Sequence, residues 1–292
     1  MSMSVQETSL KRTSSPLVNQ IKALLGTQES VLLIITLIAV FFLSIQTDKF
    51  LTVENLLNQG RLMTEIGLMA LPMTFIIVTG GIDLSVGSIA GLSAVMLGYS
   101  WYNWGLPLGA AIVVALVVGM IAGFVNGLFI IRLQVPPLIM TLATMAFYRG
   151  LAEGIAQARS VRNYPGWFYK MGQGETLGVP NQLYLLVIAI IITAIILSRT
   201  TFGRSLYAIG NNELAARFSG IPVNRNKLLI YTFSGFMAGL SGYILVSRAT
   251  TTRFDMGSGW ELDAIAAVVL GGTSIFGGSG SIIGTTIGLI LI

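Results

Sequence analysis

A succession of long apolar runs constrains this chain before any other feature does. They lie at residues 31–45, 62–79, 82–101, 106–133, 137–155, 183–198, 229–246 and 264–276, and a further run fills 282–292. Crossing the hydrocarbon core of a bilayer takes about 20 apolar residues at 1.5 Å rise each. Residues 183–198 are short by that measure, about 24 Å of helix, but Arg199 can snorkel at one end and Gln182 can cap the other. The expected fold class is all-α, a polytopic transmembrane helical bundle. Composition agrees: 54% of residues are hydrophobic and 10% charged, against about 25% charged in soluble domains.

Composition also excludes chemistry. The chain has no cysteine and no histidine, which removes disulfides, thiol chemistry and the commonest general base and metal ligand. Acids are scarce in the apolar runs, so no metal site is expected. The net charge of +5 reads as the basic bias of cytoplasmic loops, not as nucleic-acid binding.

Residues 1–30 are polar, carry Lys11, Arg12 and Lys22, and lack a signal-peptide pattern. They read as a cytoplasmic tail with an interfacial segment at 17–25, ahead of a membrane domain over 31–292. The last run ends without a polar flank, so the fold is expected to continue past Ile292. Residues 199–227 carry Arg199, Arg204, Arg217, Arg225 and Lys227 against Glu213 alone, which places them in the cytoplasm. The aromatic 99–106 loop suits the outer interface. Counting runs puts 157–182 outside as well, although it holds Arg159, Arg162 and Lys170.

One segment breaks the apolar pattern: Gly80-Gly81-Ile82-Asp83-Leu84-Ser85-Val86-Gly87-Ser88. An aspartate at the centre of a spanning helix costs roughly 2.5–3.5 kcal/mol, and glycine-broken backbone survives only inside protein or beside water. Asp83 and Ser85 are good N-cap types for a helix restarting there. The alternative reading sets Asp83 or Ser85 on a permeation route or at a cytoplasmic mouth. A partial echo follows near the end: Gly271-Gly272, then Gly277-Gly278-Ser279-Gly280-Ser281-Ile282. Paired glycine-interrupted segments in two halves point to a transporter's internal repeat.

The basic segment from Gly203 to Gly220 reads as a docking element. Asn211 or Asn212 can cap a short helix, Glu213 suits its first turn, Ala216 propagates it, and Gly220 with Pro222 stops it. Leu214 and Phe218 fall four apart, on one face. That face can lie on the membrane or dock into a groove of a cytoplasmic partner, with Arg204 and Arg217 pairing acids there. No G-x-x-x-x-G-K-[ST] run occurs, so any ATP-driven step needs another subunit. Elsewhere, Arg61 with Glu65 and Arg149 with Glu153 sit at i,i+4 spacing and are expected to pair. Asn126 lies in the small-residue stripe of Gly119, Gly123 and Gly127 and is expected to mark helix packing. Glu261 and Asp263 open a span, and Pro136-Pro137 marks a helix entrance.

Together the 79–88 motif, the Gly203–Gly220 segment and Glu261-Leu262-Asp263-Ala264-Ile265-Ala266-Ala267-Val268-Val269-Leu270-Gly271-Gly272 resemble the permease subunits of ribose-type ABC sugar importers, from about residue 51 to 292. Leu71-Pro72-Met73-Thr74 and the closing Gly278–Thr285 stretch look closest to the rhamnose and autoinducer-2 branches, and residues 158–162 lean toward rhamnose. The resemblance implies about eight to ten spans in the full-length family and a multi-pass protein of the bacterial inner membrane. It implies a second permease chain as homo- or heterodimer partner, a periplasmic sugar-binding protein, and a cytoplasmic ABC ATPase that holds ATP and Mg. This chain would hold no cofactor. Carried over as ATPase-coupling residues are Gly203, Arg204, Gly210, Asn211, Asn212, Glu213, Ala216, Arg217, Phe218 and Gly220. Pathway or helix-break positions are Gly80, Gly81, Asp83, Ser85, Gly87, Ser88, Gly271, Gly272, Gly277 and Gly278. Two rivals come from other classes. One is an ion-coupled secondary transporter with Asp83 as its ion site. The other is a membrane enzyme acting on lipid, for which no convergent acids, bases or metal ligands are visible.

Overall fold

The computed structural model describes residues 28–292. The interfacial segment expected at 17–25 lies outside them. Among the described residues twelve helices follow one another: α1 Gln28–Gln46, α2 Val53–Val78, α3 Val86–Tyr102, α4 Leu108–Arg132, α5 Pro137–Ala156, α6 Tyr169–Gly172, α7 Asn181–Arg199, α8 Thr201–Asn211, α9 Glu213–Phe218, α10 Val223–Ala249, α11 Trp260–Leu270 and α12 Ile282–Leu291. A two-residue hairpin, β1 Glu175–Thr176 with β2 Val179–Pro180, sits between α6 and α7. Helices α2, α4, α7 and α10 are long and apolar enough to cross a membrane.

At the centre stands α2. Thr52 caps it by accepting from the Asn55 N–H, and its second half is buried on every side, including Leu68, Met69, Phe75 and Ile77. A helix apolar all round must be wrapped by others. Against it pack α10, α11, α7 and α12. Large apolar side chains on α1, on one face of α5 and on α7 remain outward, Phe41, Phe147 and Ile188 among them. Those are faces for lipid.

Close approach of α4 to α10 rests on the glycine stripe. A Cβ on Gly119 would overlap the Gly235 carbonyl, one on Gly123 the Tyr231 carbonyl, and one on Gly235 the Gly119 carbonyl. With little hydrophobic drive between helices in lipid, small residues that let backbones meet supply the packing.

The expected span over 264–276 is not a span. Helix α11 ends at Leu270, and Gly272, Gly277, Gly278 and Gly280 take left-handed angles before α12 begins. Eleven residues cover about 16 Å, half a crossing. The approach to α11 is equally irregular. After α10 the chain runs without helix along α3, where Gly98 faces Thr252, Gly91 faces the Met256 carbonyl, and Gly87 faces the Gly257 carbonyl and Glu261. Arg149 donates from Nη1 to the Phe254 and Met256 carbonyls at 3.1 and 2.9 Å, satisfying backbone that no helix satisfies.

That contact corrects an expected ion pair: Arg149 serves this backbone rather than Glu153. The other i,i+4 pair is corrected too. Glu65, fully buried, pairs with Arg248 of α10 at 2.6 Å, while Arg61 pairs with Glu175 of the hairpin. Burial decides this. Glu65 points into the bundle, where only a side chain from a facing helix reaches it.

Candidate functional site

The break between α2 and α3 is a polar knot tied by side chains from three other helices. Asp83 Oδ1 accepts from the Ser85 N–H at 2.9 Å and from the Ser85 hydroxyl at 2.6 Å, and Oδ2 accepts from the Ser234 hydroxyl of α10 at 3.2 Å. Asn126 of α4 donates to Ser85 Oγ at 2.7 Å, and the Tyr148 hydroxyl of α5 lies 3.3 Å from Asn126 Oδ1. Thr141, also on α5, accepts from the Leu84 N–H and donates to the Ile82 carbonyl, each at 3.1 Å. Asp83, Ser85 and Asn126 are fully buried, and among the described residues no Lys or Arg pairs with Asp83.

Asp83 bonds a backbone N–H, as expected of a capped break, but Ser85 does not cap as expected. Ser85 occupies the N-cap of α3 but makes no side-chain cap bond. Asp83 instead bonds the backbone two residues on, an Asx-type turn. The Asn126 expectation was half the story: its helix packs by glycines, and its amide also ties the knot. Serine and asparagine at those positions carry no sequence signal for each other, since they lie 41 residues apart.

At the end of α2 a second structure forms from backbone. Gly278 N–H donates to the Val78 carbonyl at 2.9 Å. Gly210, near the end of α8, fits against both: a Cβ there would overlap Val78 O and stand 2.5 Å from Gly278 N. Gly277 faces Gly80 N, Gly210 O and Val78 O. Tyr207 donates to the Gly280 carbonyl at 2.7 Å. The two glycine breaks and the Gly203–Gly220 segment thus meet at one junction. Gly80, Gly277 and Gly278 have φ of 78, 87 and 79°, angles open chiefly to glycine. Gly271 stands apart from this junction, packing α11 onto α12 at the Gly284 carbonyl. Gly81 sits over the Tyr231 hydroxyl, and Ser88 donates to the Ser85 carbonyl.

The Gly203–Gly220 segment is two helices. Thr200 caps α8 at the Gly203 N–H, and Gly203 allows a tight elbow against the Leu197 carbonyl. Asn212 caps α9 at the Ala215 N–H, 2.9 Å, while Asn211 turns back to the Tyr207 carbonyl. Gly220, at φ 80°, closes α9, and the Ile221 N–H reaches the Ala216 carbonyl in a Schellman-type end. Ala216 packs with Ile209 and Val223. Leu214 and Phe218 are 65% and 85% exposed. Arg217 is already engaged with Glu213 and Asn224 at 3.2 Å each, and Lys227 reaches Glu213 at 2.6 Å. Partial burial works against the Glu213 charge, but Lys227 and Arg217 outweigh it and hold the carboxyl below its ordinary pKa. Arg204, on α8, is exposed.

Comparison with known proteins follows the same residues. The family described as branched-chain amino acid transport system / permease component matches residues 55–292. The ribose import permease RbsC of Bacillus subtilis (strain 168) is 44% identical over 259 residues, 87% of this chain and 80% of that protein. RbsC of Escherichia coli (strain K12) is 38% identical over 93% of this chain and 85% of that protein. The autoinducer 2 import permease LsrD of Photorhabdus temperata is 36% identical over 90% and 81%. No solved structure matches the chain.

Proposed function

We propose a function for a chain that belongs to the permease-component family of branched-chain amino acid transport systems: it is the integral membrane permease of an ABC importer for a sugar or sugar-like molecule. The observation that carries this reading is similarity along nearly its whole length to ribose and autoinducer 2 import permeases. It is a transport subunit and not an enzyme. The finer reading places it in the bacterial inner membrane with its N-terminus in the cytoplasm, paired with a second permease chain. A binding protein delivers the sugar outside. A cytoplasmic ATPase holds ATP and Mg and docks on α9, whose Leu214 and Phe218 stand out from the chain. The absence of a phosphate-binding glycine loop from the sequence supports a separate nucleotide subunit.

In this reading the α8–α9 module moves with the ATPase. A ligand shifts an equilibrium only by its preference between two states, so nucleotide binding must favour one position of the module. The Gly210 junction supports direct transmission from there to the end of α2 and to the α11–α12 break. In the assembled complex, Arg204→Glu combined with Phe218→Ala is expected to abolish sugar-stimulated ATP hydrolysis. Unchanged stimulation removes the coupling role from α9.

A further inference from the structure

At the end of the bundle opposite the α8–α9 module lies a cavity of about 810 Å³. Its wall comes from the end of α3, the end of α5 and the chain just after each, with Tyr99, Tyr102, Trp104, Arg159, Arg162 and Asn163 among its lining. No carboxylate lines it, and among the described residues neither arginine has an ion-pair partner. Two arginines at this end run against the basic bias that marks the other end.

Lining geometry is unusual. Gln157 and Asn163 of the lining, and Ala158 beside them in the chain, take left-handed φ of 48, 63 and 57°, uncommon for residues with a Cβ. Such conformations persist where the surroundings over-determine them, and they cluster at ligand sites. The surroundings are visible here. The Thr252 N–H donates to the Val161 carbonyl at 2.9 Å, and the Tyr164 and Thr252 hydroxyls are 2.6 Å apart. Tyr164 stacks between Trp101 and Phe168 at 4.5 and 4.7 Å. A loop so pinned has little ordering left to undergo on binding. An aromatic belt at the lipid interface accounts for Tyr102 and Trp104 alone. It does not account for two unpaired guanidiniums and an asparagine converging on the same space.

We propose that this cavity is a holding site for a neutral, polyhydroxylated sugar on the entry side, an inference that rests on the importer reading above. The electron-rich faces of Trp104 and Tyr102 suit the C–H face of a sugar ring. Arg159 and Arg162 present planar donor forks, and Asn163 both donates and accepts, matching adjacent hydroxyls. A small inorganic anion would engage the arginines and leave the rings unused.

The test uses the full chain in phosphatidylcholine nanodiscs with D-ribose and L-rhamnose as probes. Saturation-transfer NMR and tryptophan fluorescence should report saturable binding of at least one, the fluorescence change disappearing in Trp104→Phe. Arg162→Ala and Tyr102→Ala should each weaken it by roughly tenfold, the scale of one or two lost polar contacts, without altering the melting temperature. Absence of saturable binding to both sugars overturns the proposal. So does binding that both substitutions leave untouched, or inorganic phosphate occupying the cavity more tightly than either sugar. Uptake by cells separates the two readings. Wild-type chain that supports sugar uptake but shows no binding here sinks the holding site alone. Binding without uptake sinks the importer reading alone.

Discussion

The two glycine breaks are built from the same vocabulary and held by different means. Between α2 and α3 the break is gripped by side chains from α4, α5 and α10, all converging on Asp83, Ser85 and residues 82–84. Between α11 and α12 it is held mostly by backbone: the Ser274 N–H to the Ser279 carbonyl and the Gly278 N–H to the Val78 carbonyl, with the Tyr207 hydroxyl on the Gly280 carbonyl and the Ser281 hydroxyl accepting from the Gly284 N–H. Phe276 at its tip is 94% exposed. A knot of buried side-chain bonds resists rearrangement, because every donor it frees is left in a low-dielectric interior. A glycine junction yields or slides at smaller cost. The first break is therefore the more rigid of the two, and the second, packed on α8 at Gly210, is the one expected to shift with the α8–α9 module in the proposed mechanism.

The strongest way to break this contrast is Gly210→Val. Its side chain has no room beside Val78 O and Gly278 N, so the junction must part, at about 3 kcal/mol, the upper end of overpacking costs. Transport in the assembled complex should fall to background while nucleotide hydrolysis without sugar continues. Transport near wild type would show that the junction transmits nothing.

Asp83 sharpens the other side. Asp83→Leu leaves the Ser85 N–H and the Ser234 hydroxyl without their acceptor, and about 2 kcal/mol should be lost, visible as a lower melting temperature in detergent. Asp83→Asn keeps an acceptor, so it should impair assembly or transport more mildly and leave the pH profile of uptake where it was. A clear movement of that profile would return Asp83 to the role of ion site.

The smallest effect concerns Glu213. Its folded-state pKa lies below the ordinary 4.5 despite partial burial, through Lys227 and Arg217. Its contribution is then complete above the ordinary carboxylate range and drains away as pH falls through the depressed value. Hydrogen-exchange protection of α9 amides, corrected for intrinsic rates, should be level from about pH 8 to pH 5 and decline only below that. Glu213→Gln should show no such decline.

Much of this was legible in the chain because its causes are local. Apolar run length gave α2, α4, α7 and α10, and cap residues gave Asn212 and Gly220 at the two ends of α9. Glycine pairs located both breaks. What was not legible depends on which face of a helix turns inward. Asn126 read as a packing residue because nothing near it in sequence needs an amide. The 264–276 run has the composition of a span, yet Gly272 and its successors end the helix after Leu270. Apolar content reports the medium around a segment, not whether its backbone stays helical.

The sequence by itself determined a helical membrane protein, the positions where its helices must break, and a capped short helix with Leu214 and Phe218 on one face. Those follow from hydropathy, positive φ and capping, which act within a few residues. Only the tertiary structure decided that Glu65 turns from Arg61 to Arg248, 183 positions away, and that Gly210 meets Val78 and Gly278. A buried carboxylate pairs with whatever cation packing brings to it, and a glycine's missing side chain gains meaning only when another backbone occupies its place.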